Sequence, residues 1–241
     1  MNAVEIHHLK KSFGSRTAVD DLSLSVRRGE IFSLLGVNGA GKTTTLRALC
    51  GLIPFDSGEI RIFGEPAGTP EARRLLGLSP QETAVAENLT ATENLELMAR
   101  IHGMSRAGAR RAAQEQIDAL SLSEIAGRRA GKLSGGWQRR LSIAMALIAQ
   151  PQVLILDEPT LGLDVLARRG LWEAIRSLRE KTAVLLTTHY LEEAEALSDR
   201  IAVMAQGRLR AQGTAQELMR LSKTETFEDA FVALAGRRAD R

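Results

Sequence analysis

The chain has 241 residues, of which 44% are hydrophobic, and its 32 basic and 29 acidic residues leave a net charge of +3. This length and composition allow a full core, arranged as one large domain or as a core with a subdomain. The small, interspersed charge argues against nucleic acid as a partner. No apolar run approaches the roughly 18 residues of a membrane span, and no basic segment precedes an apolar one at the N-terminus, so we expect a soluble, cytoplasmic chain.

The first part of the chain predicts short strands around one glycine-rich loop. Residues 3–9 and 22–26 alternate as half-buried strands, residues 58–63 give another, and residues 64–70 are rich in turn formers. The only cysteine, Cys50, falls in the apolar pattern of a helix after the loop. We therefore expect a buried, reduced thiol without a disulfide.

The glycine-rich loop, Gly36 to Thr43, fits the pattern G-x-x-x-x-G-K-[ST] and follows an apolar run that predicts a buried strand. Its glycines let the backbone approach a polyphosphate, and the helix that begins near Gly41 supplies free amides. Lys42 adds a charge for the terminal phosphates, and the Thr43 hydroxyl suits Mg²⁺. The alternative is a chance match, at about one in a hundred for a chain of this length before the strand is counted.

Residues 89–150 change to helical patterns. Residues 90–93 form a capping box before a helix that places Leu95, Met98 and Ile101 on one side. A second helix follows, with its apolar residues at helical spacing. We interpret this region as an all-helical insertion in an α/β core.

Two unbroken apolar runs, residues 153–156 and 183–187, predict parallel strands that are covered on both faces. Asp157 and Glu158 follow the first run, and His189 follows the second, where ligands bind in a parallel sheet. Asp157 can bind Mg²⁺ directly or through water, and Glu158 can meet a water that attacks the terminal phosphate. The alternatives are a solvated strand end for the carboxylates and a structural role for the histidine.

Between these two strands, Leu171, Ile175 and Leu178 predict a crossover helix. Beyond them, the chain predicts a hairpin around Gln206-Gly207 and then two short helices.

The stretch Leu133 to Gln138 carries a serine and two glycines immediately before an apolar helix. Ser134 suits an N-cap, and Gly135 and Gly136 expose their amides, which predicts a second anion-binding helix terminus. A flexible turn is the alternative, and the glycines alone do not decide between the two.

Taken in order, these motifs resemble the ATP-binding subunit of an ATP-binding cassette (ABC) transporter over nearly the whole chain. The matching segments are the Walker A loop at Gly36 to Thr44, the Q-loop at Gln81, the signature at Leu133 to Gln138, Walker B at Leu154 to Glu158, the D-loop at Leu161 to Asp164 and the switch histidine His189. The resemblance implies an α/β fold of the P-loop NTPase class with a RecA-like parallel sheet. Its parts would be an α/β core with an antiparallel β subdomain at 1–86 and 151–215, an inserted helical subdomain at 87–150 and a short helical tail at 216–241.

The resemblance also assigns roles to single residues. ATP would contact the Walker A residues Asn38, Gly39, Ala40, Gly41, Lys42, Thr43 and Thr44. Phe13 would stack on adenine, although an aromatic residue at this position also suits the core. Mg²⁺ would be held by Thr43, Gln81 and Asp157. Glu158 would be the general base, with His189 and Gln81 completing the catalytic group.

In this family two subunits pair head to tail, and each ATP lies between one Walker A loop and the other signature. The resemblance therefore implies that Ser134, Gly135 and Gly136 contact the γ-phosphate bound by a second ATP-binding subunit, with a homodimer as the default. Asp164 would couple the two sites. ATP binding would close the dimer, and hydrolysis would open it.

Short phrases at residues 89–95, 190–195 and 227–231 resemble ATPase subunits of ABC-2 type exporters of drugs, antibiotics, ions, lipids or polysaccharides. This implies a separate transmembrane permease that docks near residues 81–102, and a cytoplasmic position peripheral on the inner face of the cell membrane. An importer ATPase and a non-transport ABC ATPase stay open as alternatives.

Overall fold

The computed structural model describes residues 1–179 and 181–236, and within them it contains ten strands and nine α-helices. In chain order the strands are β1 (Asn2–Phe13), β2 (Arg16–Arg27), β3 (Ile31–Leu35), β4 (Ser57–Ile62), β5 (Glu65–Pro66), β6 (Leu76–Ser79), β7 (Val153–Asp157), β8 (Ala183–Thr188), β9 (Arg200–Ala205) and β10 (Arg208–Gly213). The helices are α1 (Lys42–Leu49), α2 (Pro70–Arg74), α3 (Ala91–Ile101), α4 (Arg106–Ala119), α5 (Gly135–Leu147), α6 (Val165–Arg176), α7 (Leu191–Leu197), α8 (Ala215–Ser222) and α9 (Phe227–Gly236).

The larger sheet has the strand order β10-β9-β3-β8-β7-β6, and all its pairs are parallel except β10 with β9. Every residue of β3, β7 and β8 is buried, as continuous apolar runs require when both faces of a sheet are covered. The parallel α/β core predicted from the sequence is therefore present. Its carboxyl edge brings the ends of β3, β7 and β8 together.

One strand of this sheet, β6, has no counterpart in the sequence prediction. It has only four residues, and Gly77 at its second position weakens the strand pattern. A Cβ atom at Gly77 would collide with the Ala146 carbonyl oxygen of α5. The glycine therefore allows α5 to pack close against β6, and β6 in turn brings Pro80 and Gln81 to the carboxyl edge.

The smaller sheet is antiparallel, with the order β2-β1-β4-β5. Its first two strands have 12 residues each and extend beyond the predicted segments. Register shifts between Ile6 and Leu9, and again on either side of Lys11, break the alternation of buried and exposed positions. The alternation of apolar and polar residues is therefore lost after Leu9, and the first strand predicted from it was too short.

Helices α3, α4 and α5 form a layer that packs in one hydrophobic cluster with the helix-facing residues of β3, β7 and β8. The capping box at Thr90 and Glu93 is present. Ile101, however, is 68% exposed, so its expected place beside Leu95 was wrong. Six residues along a helix leave the two side chains roughly 120° apart, and Ala91, Leu95 and Ala99 form the buried stripe instead.

The last part of the chain confirms the hairpin at Gln206-Gly207 and two short helices, α8 and α9. The crossover helix α6 ends at Arg176, so Leu178 lies just past it. The last five residues of the predicted tail, 237–241, lie outside the described residues. Across residues 1–179 and 181–236, none of the helices is both long and apolar enough to cross a membrane.

Cys50 is buried as expected, directly after α1. Burial raises the pKa of its thiol to about 12, and the nearby charge of Asp157 acts in the same direction. The thiol is therefore protonated at neutral pH, which fits a structural residue.

Candidate active site

The loop from Gly36 to Gly41 joins the end of β3 to the start of α1 in a conformation that depends on its glycines. Gly41 has φ 103° and would place a Cβ atom 2.5 Å from the Ala18 carbonyl oxygen. A Cβ atom at Gly36 would approach the Met204 carbonyl oxygen to 2.5 Å. Helix α1 has no side-chain cap and no acidic residue in its first turn. Its first amides and its positive dipole end are therefore available to an anion.

Lys42 is almost completely buried, with 5% of its surface exposed, at the base of this loop. Its Nζ donates to the Gly36 carbonyl at 2.7 Å and to the Val37 carbonyl at 3.3 Å. The same nitrogen lies 3.4 Å from Glu158 Oε1. A buried ammonium group held mainly by loop carbonyls is ready to pair with the terminal phosphates of a nucleotide.

Asp157 ends β7 and is anchored by two hydroxyl groups. Thr187 Oγ1 donates to Asp157 Oδ1 at 2.5 Å, and Thr43 Oγ1 donates to the same oxygen at 3.1 Å. One carboxylate and one hydroxyl suit Mg²⁺, which binds through one or two carboxylates together with substrate phosphates and water. In the described part of the chain, no group of three or more His, Cys, Asp or Glu residues could hold a metal ion alone. The Asp157 carboxylate and the Thr43 hydroxyl are donors of the kind that Mg²⁺ accepts beside phosphate oxygens.

Glu158 takes a backbone conformation that turns its side chain away from that of Asp157. Its φ is 47°, an uncommon value for a residue other than glycine, and its amide donates to Thr187 Oγ1 at 3.0 Å. Its carboxylate lies between two basic groups, because Oε2 is 3.2 Å from Nδ1 of His189 while Oε1 faces Lys42. Such strain concentrates at functional sites, and here it directs the Glu158 carboxylate away from that of Asp157.

Asp157 lines a cavity of about 410 Å³ that Gln81 also lines. Lys42, Thr43, Glu158 and His189 line a second cleft of about 600 Å³, a volume within the usual range for ligand pockets. Phe13 lies at this cleft and is 53% exposed, which excludes the core position that the sequence left open for it. The other predicted residues in the lining are Asn38, Gly39, Ala40, Gly41, Lys42, Thr43, Thr44, Gln81, Glu158 and His189. Leu161, the first residue of the predicted D-loop, also lines the cleft. Arg16 and Ala18 line it as well, and no motif in the sequence had indicated these two residues.

The signature residues are not part of this cleft. Ser134 is the N-cap of α5, but its side chain makes no capping hydrogen bond and is exposed. A Cβ atom at Gly135 would meet nothing within 4 Å, so this helix terminus is open on its outer side. Asp164, by contrast, uses its carboxylate to cap α6, accepting from the amides of Leu166 and Ala167 at 2.9 Å each.

The parallel sheet, the phosphate loop and the divergent carboxylates at the end of β7 define the chain as a P-loop nucleoside triphosphatase. Residues 19–161 match the family described as ABC transporter, and the chain belongs to that family. It is an ATP-binding cassette ATPase.

Relatives and a solved structure agree with this assignment. The chain is 47% identical over 221 residues to Nod factor export ATP-binding protein I of Paraburkholderia xenovorans, covering 90% of this chain and 72% of that protein. It is 45% identical over 224 residues to doxorubicin resistance ATP-binding protein DrrA of Mycobacterium tuberculosis, covering 90% and 67%. A dimeric ATP-binding cassette in a post-hydrolysis state with ADP and phosphate is 28% identical, with TM-score 0.77, over 88% of this chain and 98% of that one.

Proposed function

We propose that this chain is the ATPase subunit of an ABC-2 type exporter, in which two copies close on ATP and drive a separate membrane permease. The observation that carries the proposal is the division of the site. The phosphate loop, Glu158 and His189 line one cleft, whereas Ser134 and Gly135 lie at an open helix terminus outside it and Gly136 packs beside Ala167 of α6. A helix terminus of this kind suits the γ-phosphate of a nucleotide held by another subunit.

Within one subunit, each group has a chemical task that follows from its surroundings. Lys42 and the amides of the phosphate loop hold the phosphates, and the exposed ring of Phe13 offers a face for adenine. Thr43, Asp157 and Gln81 would hold Mg²⁺, which supplies charge neutralisation at the β- and γ-phosphates. Glu158 accepts the proton of the attacking water as general base.

His189 lies beside this base and would keep it in position. Its Nδ1 is 3.2 Å from Glu158 Oε2, so the ring limits the orientations of the carboxylate. The same ring would contact the γ-phosphate and help to orient the water. The neighbouring Tyr190 ring, with its centroid 4.1 Å from that of His189, supports the imidazole from one side.

Export is supported by the names of the relatives, one of a Nod factor export protein and one of a drug resistance protein. Their named substrates differ, so we assign no cargo to this chain. A permease would dock near residues 81–102, where α3 exposes Leu97 and Ile101 one turn apart. The chain would then work peripherally on the inner face of the cell membrane.

Glu158→Gln tests the proposed cycle directly. The variant loses the base but keeps the phosphate loop, so we expect ATP and Mg²⁺ to hold it as a stable dimer with hydrolysis reduced at least ~10²-fold. Size-exclusion chromatography with ATP detects the dimer, and the same variant with ADP is the control. A variant that hydrolyses ATP at the wild-type rate would refute the role of Glu158.

Affinity purification from detergent-solubilised membranes tests the transport assignment. The expected result is an integral membrane protein that stays bound to the chain through chromatography. Recovery with ribosomes instead would contradict the proposal.

A further inference from the structure

Arg139 joins the signature helix to the Q-loop. It lies on the second turn of α5, four residues after Gly135, and is 4% exposed. Its Nη1 donates to the Pro80 carbonyl at 2.5 Å, and its Nη2 donates to the Gln81 carbonyl. One guanidinium group therefore binds two successive carbonyls of the segment that follows β6.

A buried arginine at this position is costly for stability, and the cost indicates a specific role. Burial lowers the pKa of Arg139, while the negative charge of Asp157 favours its charged form. An apolar side chain of similar size could fill this space without the desolvation cost. The planar fork of arginine, however, can hold two carbonyls in a fixed relation, which a point charge or an apolar group cannot do.

Other contacts tie the same segment to the helical layer. One turn along α5, Ser142 Oγ lies 2.9 Å from Ser79 Oγ, and both residues are buried. At the far end, the fully buried Asn94 of α3 accepts from the Ala86 amide at 2.8 Å and donates to the Ala86 carbonyl at 3.1 Å. The chain from 79 to 86 is thus fixed at both ends to helices α5 and α3.

We propose that Arg139 is a positioning residue that makes the Gln81 backbone move together with the signature helix. When Ser134, Gly135 and Gly136 engage a nucleotide on the partner subunit, α5 shifts and Arg139 carries Gln81 with it. The same movement sets the distance between Gln81 and the Thr43 and Asp157 pair. The inference rests on the proposed function of Gln81 and of the signature.

A double-mutant cycle with the full-length chain tests this inference. We expect Arg139→Met to lower kcat for ATP hydrolysis ~10-fold or more with little change in KM for ATP, because misplaced groups reduce the rate more than binding. Gln81→Ala should do the same. If Arg139 acts through Gln81, the double variant should be no slower than the slower single variant.

Two further variants separate positioning from folding. Arg139→Lys keeps the charge but not the fork, so its kcat should lie between those of wild type and Arg139→Met. Arg110→Met is the matched control, because Arg110 lies exposed on α4 and its ion pair with Glu96, at 3.9 Å, is long. The kcat of this variant should equal that of the wild type. Thermal unfolding measures the stability of each, and if Arg139→Met does not fold, the cycle is run with Arg139→Lys.

The outcomes distinguish this inference from the proposed function. Fully additive losses of kcat in the double variant, or a folded Arg139→Met variant with wild-type kcat, would overturn the positioning role of Arg139. The proposed role of Gln81 would stand in both cases. A Gln81→Ala variant with wild-type kcat would instead overturn the proposed role of Gln81.

Discussion

Thr187 connects the two carboxylates of the active site through one hydroxyl group. The hydroxyl donates to Asp157 Oδ1 and accepts from the Glu158 amide. Thr187 is fully buried in the apolar strand β8, and it is separated from Asp157 by 30 residues in the sequence. It holds the end of β7 from which both carboxylates project, Glu158 into the cleft and Asp157 toward Thr43.

We expect Thr187→Val to lower kcat for ATP hydrolysis by ~10-fold or more and to raise the Mg²⁺ concentration for half-maximal activity, since residues that orient a metal-binding group act at this scale. Valine keeps the shape of threonine but cannot donate to Asp157. Steady-state hydrolysis across a Mg²⁺ titration measures both effects. Thr182→Val is the matched control, because Thr182 is also buried and its hydroxyl bonds Pro151, away from the cleft. Equal losses of kcat in Thr187→Val and Thr182→Val would contradict the role of Thr187 in holding Asp157.

At the scale of the elements, the contact between β6 and α5 decides where the Q-loop lies. The two elements approach closely at Gly77, since a Cβ atom there would meet the backbone of Ala146 and the ring of Pro151. Strand β6 adds the parallel edge next to β7 and ends at Ser79, directly before Pro80. The packing of β6 against α5 thus sets the position of Gln81.

We expect Gly77→Ala to lower the free energy of unfolding by about 1–3 kcal/mol, the usual cost of overpacking a core. For a chain of this size, that is a decrease in Tm of several degrees. Thermal unfolding checks it against Gly127→Ala, because a Cβ atom at Gly127 would meet nothing within 4 Å. If both variants have the Tm of the wild type, the close packing of α5 on β6 does not contribute to stability.

Across the whole molecule, local sequence patterns predicted the candidate site residues better than they predicted the residues and strand that hold them in place. The phosphate loop, Asp157, Glu158 and His189 each sit beside a strong apolar strand, so a short stretch of sequence was enough to indicate them. Thr187 and Arg139 act through partners 30 and about 60 positions away, and no local pattern carries such contacts. Strand β6 was missed because four residues with a glycine give no periodic signal.

We propose that each ATP site is shared by two copies of the chain. Lys42→Ala disables the phosphate loop, and Ser134→Arg disables the signature, so each variant alone should form only inactive sites. A dimer with one copy of each variant has one site with an intact loop and an intact signature. In a shared site, Ser134→Arg should also leave nucleotide binding to the monomer nearly unchanged.

The most direct measurement is ATP hydrolysis by the two purified variants, first separately and then mixed in equal amounts. We expect near-background rates for each variant alone and recovery on mixing to roughly a quarter of the wild-type rate, since random pairing gives half mixed dimers with one working site in each. A mixture as inactive as its components, or a Ser134→Arg variant that hydrolyses ATP normally by itself, would contradict the shared site.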